Sequence, residues 1–139
     1  MRYWLMKSEP VVFSWDDLVA REDKGEEWDG VRNYQARNFM REMELGDRAF
    51  FYHSQGDKAI VGICEICARA HPDSTTDDPR WDCVDVRAVT PLARPVELRE
   101  IKEEPALREM ALVNQPRLSV QPVRAEEWKL ICKMGGVDG

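Results

Sequence analysis

The chain has 139 residues, 43% apolar and 33% charged, which fits one globular domain and excludes a disordered or low-complexity polymer. Twenty basic side chains against 26 acidic ones leave a formal charge of −6. That excludes a sequence-blind coat for DNA, which needs many phosphate contacts. No apolar run approaches the ~18 residues of a membrane span, and Met1-Arg2-Tyr3-Trp4 enters strand-like sequence without a signal-peptide plan. A soluble, cytoplasmic protein with no membrane partner is expected.

In chain order, Tyr3 to Ser8 reads as a strand with apolar residues on both faces, ended by Pro10. Ser14-Trp-Asp-Asp17 fits a capping box with Phe13 and Leu18 as its staple, and predicts a short helix over 15–21. An acidic loop follows over 22–32 and carries one large apolar residue, Trp28. Seven acids against Arg21 and Lys24 fill residues 16–29, whereas 32–41 carry Arg32, Arg37 and Arg41 with no acid, so one electropositive face is expected. Asn33 is a good N-cap, and Ala36, Phe39, Met40 and Met43 follow the spacing of a helix stripe that faces a core. Asp47 to Ser54 and Ala59 to Ala68 read as strands joined by a tight turn, hence antiparallel. A polar loop is predicted over 71–80, then a strand from Cys83 to Val89 whose exit Pro91 and Pro95 punctuate. Broken helical turns are expected over 97–112, a short strand from Ser119 to Val123, and a closing helix over 124–133. The sum is an α+β fold: a small, curled, mostly antiparallel sheet of five to six strands, closed towards a barrel and flanked by short helices.

Cys64-Glu-Ile-Cys67 resembles a redox or zinc motif, but it lies in a strand, where residues three apart point to opposite faces. No second pair stands at matching spacing, so Cys64, Cys67, Cys83 and Cys132 are read as reduced core thiols, with no metal and no cofactor. There is no dinucleotide fingerprint, P-loop, HExxH or GxSxG. His71, before Pro72, reads as a surface residue. His53, at a strand end, reads either as a hydrogen-bonded structural histidine or as an acid/base that pairs with Cys64 or Cys83.

Polar and aromatic groups gather at strand ends: Lys7-Ser8-Glu9-Pro10, Trp28 to Tyr34, Tyr52-His53-Ser54 and Arg117-Leu-Ser119. Trp28 either packs down onto the sheet or walls a slot for a flat ring. Asn33 either caps its helix and does no more, or also reads a donor–acceptor edge.

These segments, together with Trp28-Asp-Gly-Val-Arg-Asn-Tyr-Gln-Ala-Arg-Asn38 and Arg117-Leu-Ser-Val-Gln-Pro-Val123, resemble the EVE domain in order from residue 3 to about 134. The resemblance implies a PUA-like barrel, similar in fold to the YTH readers of methylated RNA bases. It also implies a binding module for a modified nucleobase, chiefly in DNA, flipped or single-stranded, and not an enzyme. By that resemblance Trp28 matches the first cage tryptophan, and Lys7, Ser8 and Asn33 stand at polar pocket positions. Trp81 is a candidate second wall. Tyr34, Arg37, Tyr52, His53, Ser54, Arg117 and Ser119 fall at the rim or floor.

Energetics bound such a reader. Stacking one base on an aromatic is worth about 1–3 kcal/mol, and extracting a base from duplex costs a comparable few kcal/mol. Edge hydrogen bonds and a few arginine–phosphate contacts must supply the rest, so a modest affinity with a shallow salt dependence is expected. Two other readings stay open. One is a small enzyme acting on a nucleotide-like ligand, with His53 as acid/base and Lys7 or Glu9 assisting; the other is a binder of a free small molecule.

Overall fold

A computed structural model of the chain describes residues 1–138. Six strands form a single sheet in the order β2-β5-β4-β3-β1-β6. They are β1 (Tyr3–Ser8), β2 (Glu26–Glu27), β3 (Arg48–His53), β4 (Ala59–Pro72), β5 (Asp82–Glu97) and β6 (Val120–Val123). Only β1 and β3 pair in parallel; every other neighbour is antiparallel. The α+β plan with a curled, mostly antiparallel sheet is the one expected from the sequence. The sheet stays open, however, with β2 and β6 as its two edges. Five α-helices flank it: α1 (Trp15–Ala20), α2 (Tyr34–Glu42), α3 (Leu98–Glu103), α4 (Ala111–Asn114) and α5 (Ala125–Met134). Among the described residues no helix is long and apolar enough to cross a membrane.

The helix signals in the sequence act as expected. The Ser14 side chain accepts from the Asp17 backbone N–H while the Asp17 carboxylate accepts from that of Ser14. The Asn33 amide oxygen accepts from the Ala36 N–H at 2.9 Å and starts α2. Ala36, Met40 and Met43 are buried on one stripe.

Strand limits differ more. β5 runs through Pro91 and Pro95 to Glu97, where the sequence suggested an exit near Val89. The β4–β5 ladder slips its register repeatedly, and proline is tolerated at such irregularities because no donor is demanded there. β4 likewise extends past Ala68, so His71 and Pro72 are strand residues and not part of the polar loop. β2, two residues inside the predicted acidic loop, pairs Glu26 with Val86 and Glu27 with Asp85. The close approach at this point requires glycine before it: Gly25 has φ +70°, and a Cβ there would stand 2.4 Å from the Val86 carbonyl oxygen.

The two faces of the sheet carry separate cores. β3 alternates between them: Phe51 points into a cluster with Trp4, Trp15, Trp28 and Met40, and Phe50 into one with Leu5, Ile63, Ile101 and Trp128.

Candidate functional site

β1 lies between β3 and β6, so three chain segments meet where it ends. The Lys7 backbone N–H donates to the Ser119 carbonyl at 2.9 Å, and the Ser8 carbonyl accepts from the Ser54 N–H at 2.9 Å. Between this junction and the segment after β2 lies a cleft of about 640 Å³. That volume falls within the roughly 300–1,000 Å³ of small-ligand sites. Lys7, Ser8, Phe13, Trp28, Asp29, Arg32 and Ser119 are among its walls.

Trp28 answers both sequence alternatives at once. Its backbone N–H donates to the Val84 carbonyl at 2.8 Å, which fixes it to the edge of β5. Its ring meets Phe51 edge-on, with centroids 5.4 Å apart and planes at 89°. The residue is only 6% exposed. It is therefore part of the first core, and it also lines the cleft.

The segment behind Trp28 is held by two carboxylates, Asp73 and Glu27, from the predicted polar and acidic loops. The buried Asp73 carboxylate accepts from the Gly30 N–H (2.9 Å), the Arg32 guanidinium (3.0 Å), the Thr75 N–H (2.8 Å) and the Thr75 hydroxyl (2.5 Å). Burial alone would raise its pKa, but the Thr75, Gly30 and Arg32 donors outweigh that and hold it down at about 2. The Glu27 carboxylate accepts from the Ser74 N–H at 3.1 Å and its hydroxyl at 2.9 Å. The only sequence trace of this clamp is Asp73-Ser-Thr75, where an Asp two residues before a donor N–H suits a side-chain turn.

The walls suit a flat, neutral, hydrogen-bonding ring better than a phosphate. The Ser8 hydroxyl donates to the Phe13 carbonyl at 2.5 Å, so its remaining capacity is that of an acceptor. The half-buried Lys7 ammonium donates to the Pro116 carbonyl at 2.8 Å, and burial, helped by Lys58, lowers its pKa. Glu9, Glu26, Glu27 and Asp29 outnumber Lys7, Arg21 and Arg32 around the cleft. Burial, with Asp73 and Glu27 nearby, raises the Asp29 pKa, so its carboxylate is short of donors.

Several residues expected at the site stand elsewhere. Asn33 does not line the cleft; its amide oxygen is taken by the α2 cap. Trp81 is not among the residues that line the cleft. It stacks on Tyr34, with centroids 5.0 Å apart and planes at 26°, under the guanidinium groups of Arg32, Arg37 and Arg80. Tyr52 is buried on the opposite face, which pushes its hydroxyl pKa up to about 12. Ser54 and Arg117 flank the junction without lining the cleft. His53 Nε2 accepts from the Trp15 N–H at 3.1 Å, and burial lowers its pKa, so its lone pair is occupied at the start of α1. That geometry gives it no acid/base task. Of the expected set, Lys7, Ser8, Trp28 and Ser119 are brought together.

Cys64, Cys83 and Cys132 are buried thiols and Cys67 is half-buried. The histidine beside a cysteine is His71, not His53: its Nε2 lies 4.0 Å from the Cys83 sulfur and 2.7 Å from an Asp85 carboxylate oxygen. Cys83 donates to the Glu27 carboxylate at 3.2 Å; burial first, then Glu27, push its pKa up, which argues against a nucleophile.

Comparison with known proteins agrees with the architecture. The family model of the EVE domain matches residues 2–134. A crystal structure of a protein from Agrobacterium tumefaciens superposes with a TM-score of 0.97 at 54% identity, over 99% of this chain and 94% of that one. The crystal structure of human THYN1 in complex with 5-methylcytosine-containing DNA gives a TM-score of 0.92 at 37% identity, over 100% of both chains. Mouse thymocyte nuclear protein 1 is 41% identical over 95% of this chain and 73% of its own length. The YTH domain of a Zygosaccharomyces rouxii protein, solved in complex with N6-methyladenosine RNA, shares the fold with a TM-score of 0.60 at 18% identity, over 99% of this chain and 86% of that one.

Proposed function

The chain belongs to the EVE domain family, and from that premise we propose that it is a non-enzymatic module that takes one modified nucleobase of a nucleic acid into the cleft walled by Trp28. The observation that carries the reading is the dual position of Trp28, seated on Phe51 and lining an open cleft beside Ser8. A base slid against the indole gains about 1–3 kcal/mol of stacking. Ser8 and Asp29 offer acceptors to an exocyclic amino group, the donor that a cytosine presents at N4. The human relative's complex with 5-methylcytosine DNA supports that class of ligand.

The acidic cleft leaves phosphates to the rim. Arg37 lies 4.8 Å above the Tyr34 ring and donates to the Asn38 side chain and the Arg80 carbonyl, with no carboxylate partner among the described residues. Its charge is therefore open to a strand. One phosphate contact there makes the salt dependence shallow, with a log–log slope near ~1. Arg37→Ala is expected to lower affinity for oligonucleotides of any sequence and remove about one unit of salt slope, as read by fluorescence anisotropy over a salt series.

The direct test is a binding screen of the whole chain against single-stranded and duplex oligonucleotides carrying one cytosine, one 5-methylcytosine or one N6-methyladenine, with the free nucleosides alongside. The methyl group itself is worth about 1–3 kcal/mol in a fitted pocket, roughly ten- to two-hundred-fold. A preference of that size for one modified base is expected, strongest where the base is unpaired. Equal affinity for every oligonucleotide would overturn the reading, and tight binding of a free nucleoside alone would replace it with a small-molecule binder.

A further inference from the structure

The register of three adjacent strands gathers four metal-ligating side chains that lie far apart in sequence. Glu27 of β2 is the Cα partner of Asp85 of β5, and His71 of β4 is the partner of Cys83 of β5. Partnered residues share a face, and so do Cys83 and Asp85, two apart on one strand. Val84 and Val86 point the other way, into the core with Trp28. Glutamate, aspartate, histidine and cysteine therefore sit together on the outer face of the sheet. The nearest ligand atoms of Glu27, His71 and Cys83 all lie within 4.8 Å of one another.

We propose that Glu27, His71 and Cys83 form a zinc site, with solvent as the fourth ligand and Asp85 beside it, that braces the segment carrying Trp28. Zinc prefers four ligands in a tetrahedron, with bonds of about 2.0–2.3 Å to nitrogen, oxygen and thiolate sulfur, which sets ligand atoms about 3.4–3.6 Å apart. The Cys83 sulfur stands 3.2 Å from a Glu27 oxygen and 4.0 Å from His71 Nε2. The Asp85 carboxylate lies 2.7 Å from His71 Nε2 but outside the set of ligand atoms that are all within 4.8 Å of one another, so it stands beside the site. The other imidazole nitrogen, Nδ1, lies 3.2 Å from the Pro72 carbonyl oxygen. An Nδ1–H donating to that carbonyl leaves Nε2 with its lone pair, which is how metal-bound histidines are usually oriented. With a proton on Nε2 its contact with Asp85 is a hydrogen bond to the carboxylate, and a metal at Nε2 takes the place of that proton. On binding, the thiol proton of Cys83 leaves to solvent as the sulfur–metal bond forms, and any second imidazole proton of His71 leaves with it. A set of one thiolate, one imidazole and one carboxylate selects zinc over magnesium or calcium.

The half-exposed His71 and Asp85 give a metal its entry, while the cysteine is fully buried beneath them. The consequence reaches the cleft through the chain: Glu27 immediately precedes Trp28 and is also bonded to Ser74. The proposal does not depend on the identity of the cleft's ligand, and its test uses no nucleic acid.

Titration of the chelator-treated whole chain with Co²⁺ is expected to give one equivalent of binding and a thiolate-to-cobalt charge-transfer band, displaced by Zn²⁺ and untouched by Mg²⁺. Cys83→Ser is expected to abolish the band and weaken Zn²⁺ binding by more than about 100-fold, beyond the ten- to hundredfold typical of losing a supporting partner. Cys67→Ser, outside the cluster, is expected to keep both. Should Cys83→Ser fail to fold, His71→Ala at the half-exposed position serves instead, with a circular dichroism spectrum as control and the same weakening of Zn²⁺ expected. A wild-type chain with no charge-transfer band, a band that survives Cys83→Ser, or Zn²⁺ affinity unchanged in His71→Ala would each overturn the site.

Discussion

Trp28 and Trp128 rest on adjacent phenylalanines of the same strand, on opposite faces of the sheet. Trp128 stacks on Phe50 with centroids 3.9 Å apart and on Tyr3 at 4.5 Å. It is fully buried, and its indole N–H has no partner. Trp28 meets Phe51 edge-on and turns towards a cleft of about 640 Å³. Bare burial separates the two poorly, at 0% and 6% exposed. What separates them is the second neighbour: an aromatic ring closes one site, and open volume stands beside the other. A core residue can thus also line a cleft without surrendering its packing.

Removing each ring breaks the comparison most severely. Trp128→Ala is expected to cost about 3–5 kcal/mol, because a fully enclosed indole leaves a cavity that its stacked neighbours cannot fill. Urea melts read that loss. Trp28→Ala is expected to cost less in the same melts, since the cleft side offers no packing to lose, and to lower affinity for an unpaired modified base roughly five- to 150-fold, the stacking share of binding. A stability loss equal to that of Trp128→Ala, with binding intact, would make the two tryptophans equivalent.

Asp73 sharpens the contrast, because it braces only the open side. Asp73→Asn removes a buried charged acceptor shared by Gly30, Arg32 and Thr75, and is expected to cost about 1–3 kcal/mol. Hydrogen exchange should locate the change at the Gly30 amide and leave α5 protected.

The smallest effect is a pH dependence at the base of α1. Burial lowers the His53 pKa below its ordinary 6.5, against a weaker opposing pull from Asp16. The unfolded chain therefore takes up the proton first. The contribution of neutral His53 is complete above 6.5 and is lost as pH falls from there towards the lower folded value. A series of thermal melts over about pH 5–8 should show this slope, and His53→Gln, which keeps an acceptor for the Trp15 N–H without titrating, should flatten it.

The same contrast explains what could be read from the sequence. Local chemistry was legible: the Ser14–Asp17 capping box, the Asn33 cap and the α2 stripe each depend on residues within a few positions. The convergence of Lys7, Ser8, Trp28 and Ser119 was legible only through the family resemblance, because it needs the pairing of β1 with both β3 and β6. The surroundings of Trp81 were not legible, because an aromatic before a strand has no local mark of its partner; Tyr34 supplies one across the fold. The Asn33 cap was legible, whereas its side-chain NH2, which the cap leaves unused, carries no local mark of a partner. The two-residue β2 and the pairing of Glu27 with Asp85 have no periodicity to betray them. Asp73, which holds the Trp28 segment through Gly30 and Arg32, lay for that reason within a predicted polar loop.

The most direct measurement follows the indole N–H resonances while a single-stranded oligonucleotide carrying one 5-methylcytosine is titrated into the protein. The Trp28 resonance should shift and saturate while that of Trp128 stays in place. A stationary Trp28 resonance, with affinity carried by the Tyr34–Trp81 stack instead, would contradict the assignment of Trp28 as the wall of the site.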